Sequence, residues 1–173
     1  MTGITRIARV PCQSGQAPLD ESPAGARANP PFGTCSMPVT IIFFDLGDTL
    51  VTASMAGNPP RLSLQPLDMA VGLLERLSAE GRRLGIISNT GGESGEAVDE
   101  ALEEAGLLRF FESALRIYSG DFPDLDPKPS PDLFEEARRR CGEDDRILFV
   151  GENPLERDAA REAGFEAREV VEI

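Results

Sequence analysis

The chain has 173 residues, enough for one domain with a modest core. Thirty acidic residues against seventeen basic ones leave a net charge of -13, a surface that repels nucleic acid and anionic membranes, so neither is expected as a partner. Histidine is absent, which excludes Ser-His and Cys-His catalysis, phosphohistidine chemistry and histidine-ligated zinc.

Residues 1–38 are rich in Pro, Gly, Ser and Ala and show neither helical nor strand periodicity. Such a segment buries too little apolar surface to offset its ordering entropy and reads as a disordered N-terminal tail. Met37 stands just before the first strong strand, so both Met1 and Met37 are candidate starts. From residue 39 to residue 173 strands and helices alternate. Thr40 to Phe44 is a short β-branched and aromatic run, as expected of a strand buried on both faces. A polar stretch follows, from Gly47 to about Pro66, and its part from Val51 to Gln65 reads either as a partial flap or as simple connection.

Ala70, Leu73, Leu74 and Leu77 repeat at i, i+3, i+4 and i+7, one helix face, and Gly81 ends it. Leu84 to Ile87 is the second strand. Val98, Ala101, Leu102 and Ala105 mark a second helix, closed by Gly106. A third strand is expected within Ser113 to Tyr118. Ser130-Pro131 opens the next helix, with Ser130 as N-cap, and Arg138, Arg139 and Arg140 complement its negative end. Ile147 to Val150 is the fourth strand. A helix from about Pro154 to Ala163 and a last strand near Ala167 to Val171 complete the pattern.

No apolar run approaches the ~20 residues that span a bilayer, and no secretory signal is expected. Cys12, Cys35 and Cys141 form no C-x-x-C pair; an odd, sparse set in an acidic chain points to a reducing compartment, and the cytoplasm is the expected location. Strand-helix alternation with continuous apolar strands implies a doubly wound, three-layer α/β/α Rossmann-like fold with a mainly parallel five-stranded sheet. Sites in such sheets gather at the carboxyl ends of the strands. Asp45, Ser88-Asn89 and Glu152 all follow predicted strands there.

Four segments carry a resemblance. Phe43-Phe44-Asp45-Leu46-Gly47-Asp48-Thr49-Leu50 resembles the first motif of the haloacid dehalogenase-like (HAD) superfamily, and Ile86-Ile87-Ser88-Asn89-Thr90 is similar to its second. Asp126 to Phe134, with Lys128 just before a helix, resembles the third; Val150-Gly151-Glu152-Asn153 through Asp158 to Phe165 resembles the fourth. They stand in family order across essentially everything after Pro38, so residues 39–173 are expected to form one HAD-like hydrolase domain. The resemblance implies an aspartyl nucleophile, Asp45, able to form a covalent intermediate. It implies magnesium, held by the Asp45 carboxylate, the Gly47 main-chain carbonyl and Glu152, with Asp158 as a helper. Ser88 and Asn89 would meet the substrate, and Lys128 would neutralise charge on Asp45 and the transferred group.

Two departures set this sequence apart. The family's phosphatases carry an aspartate two residues after the nucleophile, as general acid and base; here that position is Gly47, and Asp48, one place later, reads as a turn residue. Its loss costs roughly 10²–10⁴-fold in rate. The fourth motif begins Gly151-Glu152 rather than Gly-Asp. Ser88 stands only 43 positions after Asp45, and Lys128 40 positions after Ser88, which leaves no room for a large cap domain. The leading expectation is a magnesium-dependent phosphohydrolase acting on a phosphorylated substrate, small or macromolecular. The alternative is a catalytically silent HAD-like binding module, favoured by Gly47 and Glu152; a dehalogenase, which tolerates Gly47 but wants a closed pocket, stands third. The oligomeric state is open.

Overall fold

The computed structural model describes residues 40–173. The tail reading of residues 1–38, and with it the choice between Met1 and Met37, lies outside the described residues.

Five strands form the central sheet: β1 (Thr40–Phe44), β4 (Arg83–Ser88), β5 (Arg116–Tyr118), β6 (Arg146–Val150) and β7 (Glu166–Arg168). Their order is β5-β4-β1-β6-β7, and all four pairings are parallel. β1 is therefore central, flanked by the strands that end in Ser88 and Val150. Residues along β1 alternate between two cores because successive side chains leave opposite faces of a strand. Ile42 and Phe44 pack with Leu73, Leu74, Leu77, Val98 and Leu102; Ile41 and Phe43 pack with Leu133, Phe134, Ala159 and Ala160. Helices α1 (Ala70–Ala79) and α2 (Gly95–Glu104) thus cover one face, and α3 (Asp132–Arg139) and α4 (Pro154–Glu162) the other. This is the expected doubly wound α/β/α architecture.

Local chemistry sets the helix ends. Ser94 caps α2 by accepting from the Ala97 N–H, and Asn153 caps α4 by accepting from Leu155, with Pro154 at the first turn. Gly81 follows α1 at a φ of +74°, a conformation that a residue with a Cβ adopts only at a cost. One cap differs from expectation. The residue that precedes α3 is Pro131, not Ser130, because the Ser130 hydroxyl bonds the Asp132 carboxylate instead of a helix N–H. The last strand is also shorter than expected: Val170–Glu172 is a single 3₁₀ turn.

The stretch after β1 is neither a cap nor a bare connection. It is an antiparallel hairpin, β2 (Val51–Ala56) and β3 (Arg61–Pro66), separate from the main sheet. Val51 and Leu64 tie it into the first core. Between Asp45 and Ser88 the chain holds only this hairpin, α1 and β4, and between Ser88 and Lys128 only α2, short 3₁₀ turns and β5. No second domain is inserted at either place.

Candidate active site

The carboxyl edge of the sheet gathers four segments distant in sequence. Asp45 follows β1, Ser88 ends β4, Gly151-Glu152 follows β6, and Lys128 lies in the loop that precedes α3. Their meeting point is Lys128. Its side chain is fully buried, and its Nζ donates to Asp45 Oδ1 at 2.8 Å and to Glu156 Oε2 at 2.6 Å. The ammonium also lies 5.2 Å from the centre of the Phe149 ring, on its electron-rich face. A buried lysine held by two carboxylates fixes the orientation of both. Removing the cation would strand two like charges in a poorly solvated site, a change that costs on the order of 3–5 kcal/mol when one partner of a buried pair is lost.

The backbone around Lys128 is clamped as firmly as its side chain. Asn89 accepts from the Lys128 N–H at 2.9 Å and donates through Nδ2 to its carbonyl at 2.8 Å. The Asn89 amide, expected at the substrate, is thus occupied by the lysine loop; it positions Lys128. Ser88 is buried, and its hydroxyl makes no hydrogen bond among the described residues. It faces a cavity together with Gly47.

The turn after Asp45 is tightly wound. The N–H groups of Leu50 and Val51 both donate to Leu46, and the Asp48 N–H donates to Val51. Asp48 is the residue in left-handed conformation, at a φ of +55°, which aspartate tolerates better than most side chains. The Gly-Asp order of the motif therefore places an acid where the backbone turns over and leaves Gly47 without a side chain beside the nucleophile. A Cβ at Gly47 would meet nothing within 4 Å.

Thr49 is fully buried, and its Oγ1 accepts from the Glu152 N–H at 3.1 Å, pinning the loop after β6 to the loop after β1. Arg157 reinforces that loop by donating to the carbonyls of Gly151 and Glu152 at 2.8 and 2.6 Å. At Gly151 an added Cβ would press on the Phe149 ring at 2.9 Å and reach Asp45 Cβ at 3.5 Å. Glycine there permits the close approach of the two loops.

Glu156 is the residue that the sequence reading missed. Burial holds its carboxyl above the usual carboxylate range, Lys128 opposes that shift, and the nearby charges of Asp45 and Glu152 add to it. Helical periodicity carried the signal: Glu156, Ala159 and Ala160 share the buried face of α4. Asp158 lies on the exposed side, where Arg161 donates to it at 2.7 Å. Glu152 is exposed, and its carboxylate makes no hydrogen bond or ion pair among the described residues. Among those residues no three His, Cys, Asp or Glu side chains converge on one metal position.

The haloacid dehalogenase-like hydrolase family model matches residues 59–164, more than half of the chain. The chain belongs to this family. The match spans the HAD-like segments of Ser88, Lys128 and Glu152, while Asp45 lies before it and is joined to it by the Lys128 ion pair. No curated protein matches the sequence. Among solved structures, an uncharacterized protein from Listeria monocytogenes serotype 4b is similar at 23% identity and a TM-score of 0.58, over 76% of this chain and 78% of that one. D,D-heptose 1,7-bisphosphate phosphatase from B. bronchiseptica, solved with magnesium and phosphate, is similar at 17% identity and a TM-score of 0.58, over 75% and 79%. A HAD-superfamily hydrolase from Ehrlichia chaffeensis gives 17% and 0.54, over 78% and 88%. At these identities the likeness establishes the HAD fold. No helix among the described residues is long and apolar enough to cross a membrane.

Proposed function

We propose that the chain is a magnesium-dependent phosphohydrolase of the cytoplasm that works through Asp45 and lacks the second-aspartate acid and base. The observation that carries this reading is the buried Lys128, which bonds one oxygen of Asp45 and leaves the other free for chemistry. In this reading an Asp45 oxygen attacks phosphorus and the ester P–O bond breaks. The departing oxygen takes its proton from water because Gly47 offers none. Water then cleaves the acyl phosphate, releasing phosphate and restoring the carboxylate. Lys128 holds Asp45 in line and offsets negative charge at the transferred group. Ser88 offers a phosphoryl oxygen its hydroxyl, which has no partner among the described residues.

The donor set suits magnesium. Asp45, the Gly47 carbonyl and Glu152 are all oxygen donors, and magnesium binds through one or two carboxylates while keeping several waters. Asp45 and Glu152 are close enough for both charges to act on Glu156. The Gly47 carbonyl accepts no backbone hydrogen bond among the described residues. When bound, the metal would supply electrostatic stabilisation of the phosphoryl group. The fold neighbour solved with magnesium and phosphate is consistent with that assignment.

A catalytically silent binding module is the second reading, favoured by Gly47 and by the exposed position of Glu152. Phosphate release from activated aryl phosphates and from alkyl phosphates, with magnesium and with chelator, separates the two. The enzyme reading expects magnesium-dependent release that favours the activated esters. No release from any ester, by folded protein in saturating magnesium, would leave the binding module.

A further inference from the structure

Directly beside the Asp45 turn lies a cavity of about 110 Å³. The side chains of Leu46, Val51, Leu62, Leu64 and Val98 give it an apolar wall, drawn from the Asp45 turn, the β2–β3 hairpin and α2. Gly47 and Ser88, both assigned above to the phosphoryl site, line it as well. None of its lining residues is charged. Two of its polar side chains are already engaged: Asn89 with the Lys128 backbone, and Thr90 with the Glu93 carbonyl and the Ser119 hydroxyl. That leaves Ser88, only 4% exposed and with no hydrogen bond to its hydroxyl among the described residues, as the lining residue with a free polar side chain.

We infer that this cavity receives the leaving group of the substrate, and that the substrate is a phosphate monoester of a short, uncharged, apolar alcohol or phenol. This rests on the phosphohydrolase reading of the same site. Three observations select that occupant. An apolar wall rewards burial of carbon and leaves a charged group without a counterion. The volume is limited: an apolar cavity of ~150 Å³ holds benzene, so this one holds a chain of about four carbons or part of a ring. Among the described residues the site's one buried cation, Lys128, is shared between two carboxylates, and none of them offers a second buried positive charge for another phosphate or a nucleotide. Gly47 contributes by omission, since an aspartate there would place a carboxylate at the mouth of the apolar wall.

Non-hydrolysable phosphonates test the inference independently of turnover. In isothermal titration of the full chain in saturating magnesium, methylphosphonate reports the phosphoryl site alone. Affinity should rise roughly fourfold per methylene from methyl- to butylphosphonate, the increment for a buried CH₂. 3-Phosphonopropionate, of similar length but charged, should bind no tighter than methylphosphonate. Ala53, exposed on β2 at the edge of the cavity, allows it to be filled: Ala53→Leu should abolish the chain-length increment. Methyl resonances of Leu62, Leu64 and Val98 should shift with butylphosphonate and not with methylphosphonate. If methylphosphonate binds and butylphosphonate binds no tighter, or the shifts fall elsewhere, the cavity assignment is wrong and the phosphohydrolase reading stands. If no phosphonate binds in magnesium, both fall.

Discussion

The two ends of the central sheet treat charge in opposite ways. At the amino end a cavity of about 230 Å³, larger than the one beside Asp45, is lined by Glu80, Arg82, Arg146, Glu166 and Arg168. Its charges pair in open water: Arg146 bonds Glu166 at 2.7 Å with side chains 71% and 47% exposed, and Arg82 approaches Glu80 at 3.8 Å. Exposed pairs of this kind contribute little to stability and constrain nothing. At the carboxyl end the smaller space is lined by Asn89, which clamps the backbone of a lysine with no exposed side-chain area, held between two carboxylates. Burial and geometric constraint distinguish the functional edge; cavity size does not.

Lys128→Met tests that contrast most severely. It keeps an apolar stem of similar volume, removes the cation and should lower phosphate release by about 10³-fold, the scale of losing a preorganised electrostatic group. Thermal unfolding should fall as well, unless Glu156 takes up a proton to relieve the stranded charge. The counterpart, Arg146→Ala at the amino end, should leave both activity and thermal midpoint within error. An equal loss in the two variants would erase the distinction between the edges.

Gly47→Asp should raise turnover on poor leaving groups by up to ~10²-fold, by placing an acid where HAD phosphatases carry one. The Gly47 backbone lies outside the left-handed region and an added Cβ meets open space, so the substitution should fold without strain. Activated aryl phosphates, which need no proton, should gain little. A uniform gain on all esters would show that the new carboxylate acts through the metal site and not as an acid.

Asn89→Ala should cost roughly tenfold in kcat with a smaller change in KM, because it loosens the loop that carries Lys128 without removing a group that meets substrate. The variant Asn89→Asp keeps the acceptor for the Lys128 N–H and should retain more activity than Asn89→Ala.

The smallest effect is in pH dependence, and its sign differs between the edges. Burial raises the Glu156 carboxyl, so the native state favours its protonated form. Its contribution is present below the ordinary carboxylate pKa and is lost as pH rises through the raised value. Hydrogen bonding to Arg146 lowers Glu166, so its contribution is present above the ordinary value and is lost as pH falls through the lowered one. In chelator, the thermal midpoint of wild type relative to Glu156→Gln should fall as pH rises through the former window. Relative to Glu166→Gln any rise with pH through the latter should be at the limit of detection, because solvent screens the exposed pair. Matching slopes would show that burial does not separate the two carboxylates.

Sequence patterns revealed the sheet more readily than the hairpin, for a physical reason. β1, β4 and β6 are covered on both faces and read as unbroken apolar runs. β2 reads Val-Thr-Ala-Ser-Met-Ala, and all but Val51 are exposed, so no apolar alternation marks it as a strand. The site divides in the same way. Asp45, Ser88, Lys128 and Glu152 stand at strand and helix ends, where position in the chain gives position in space. Asn89 has the same placement, yet only the fold shows its amide turned toward Lys128. Thr49 and Glu156 act through partners 103 and 28 residues away, pairings that no local pattern displays.

The central claim, that Asp45 is a nucleophile held by Lys128 and dependent on magnesium, is tested most directly by trapping its covalent intermediate. Protein turning over an activated aryl phosphate is quenched in acid, digested and examined by mass spectrometry for a phosphoryl group on the peptide that contains Asp45. The account predicts an adduct on that peptide in magnesium, none in chelator, and none in Asp45→Asn, whose phosphate release is also abolished. Magnesium-dependent phosphate release that persists in Asp45→Asn, with no adduct on the wild-type peptide, would contradict it.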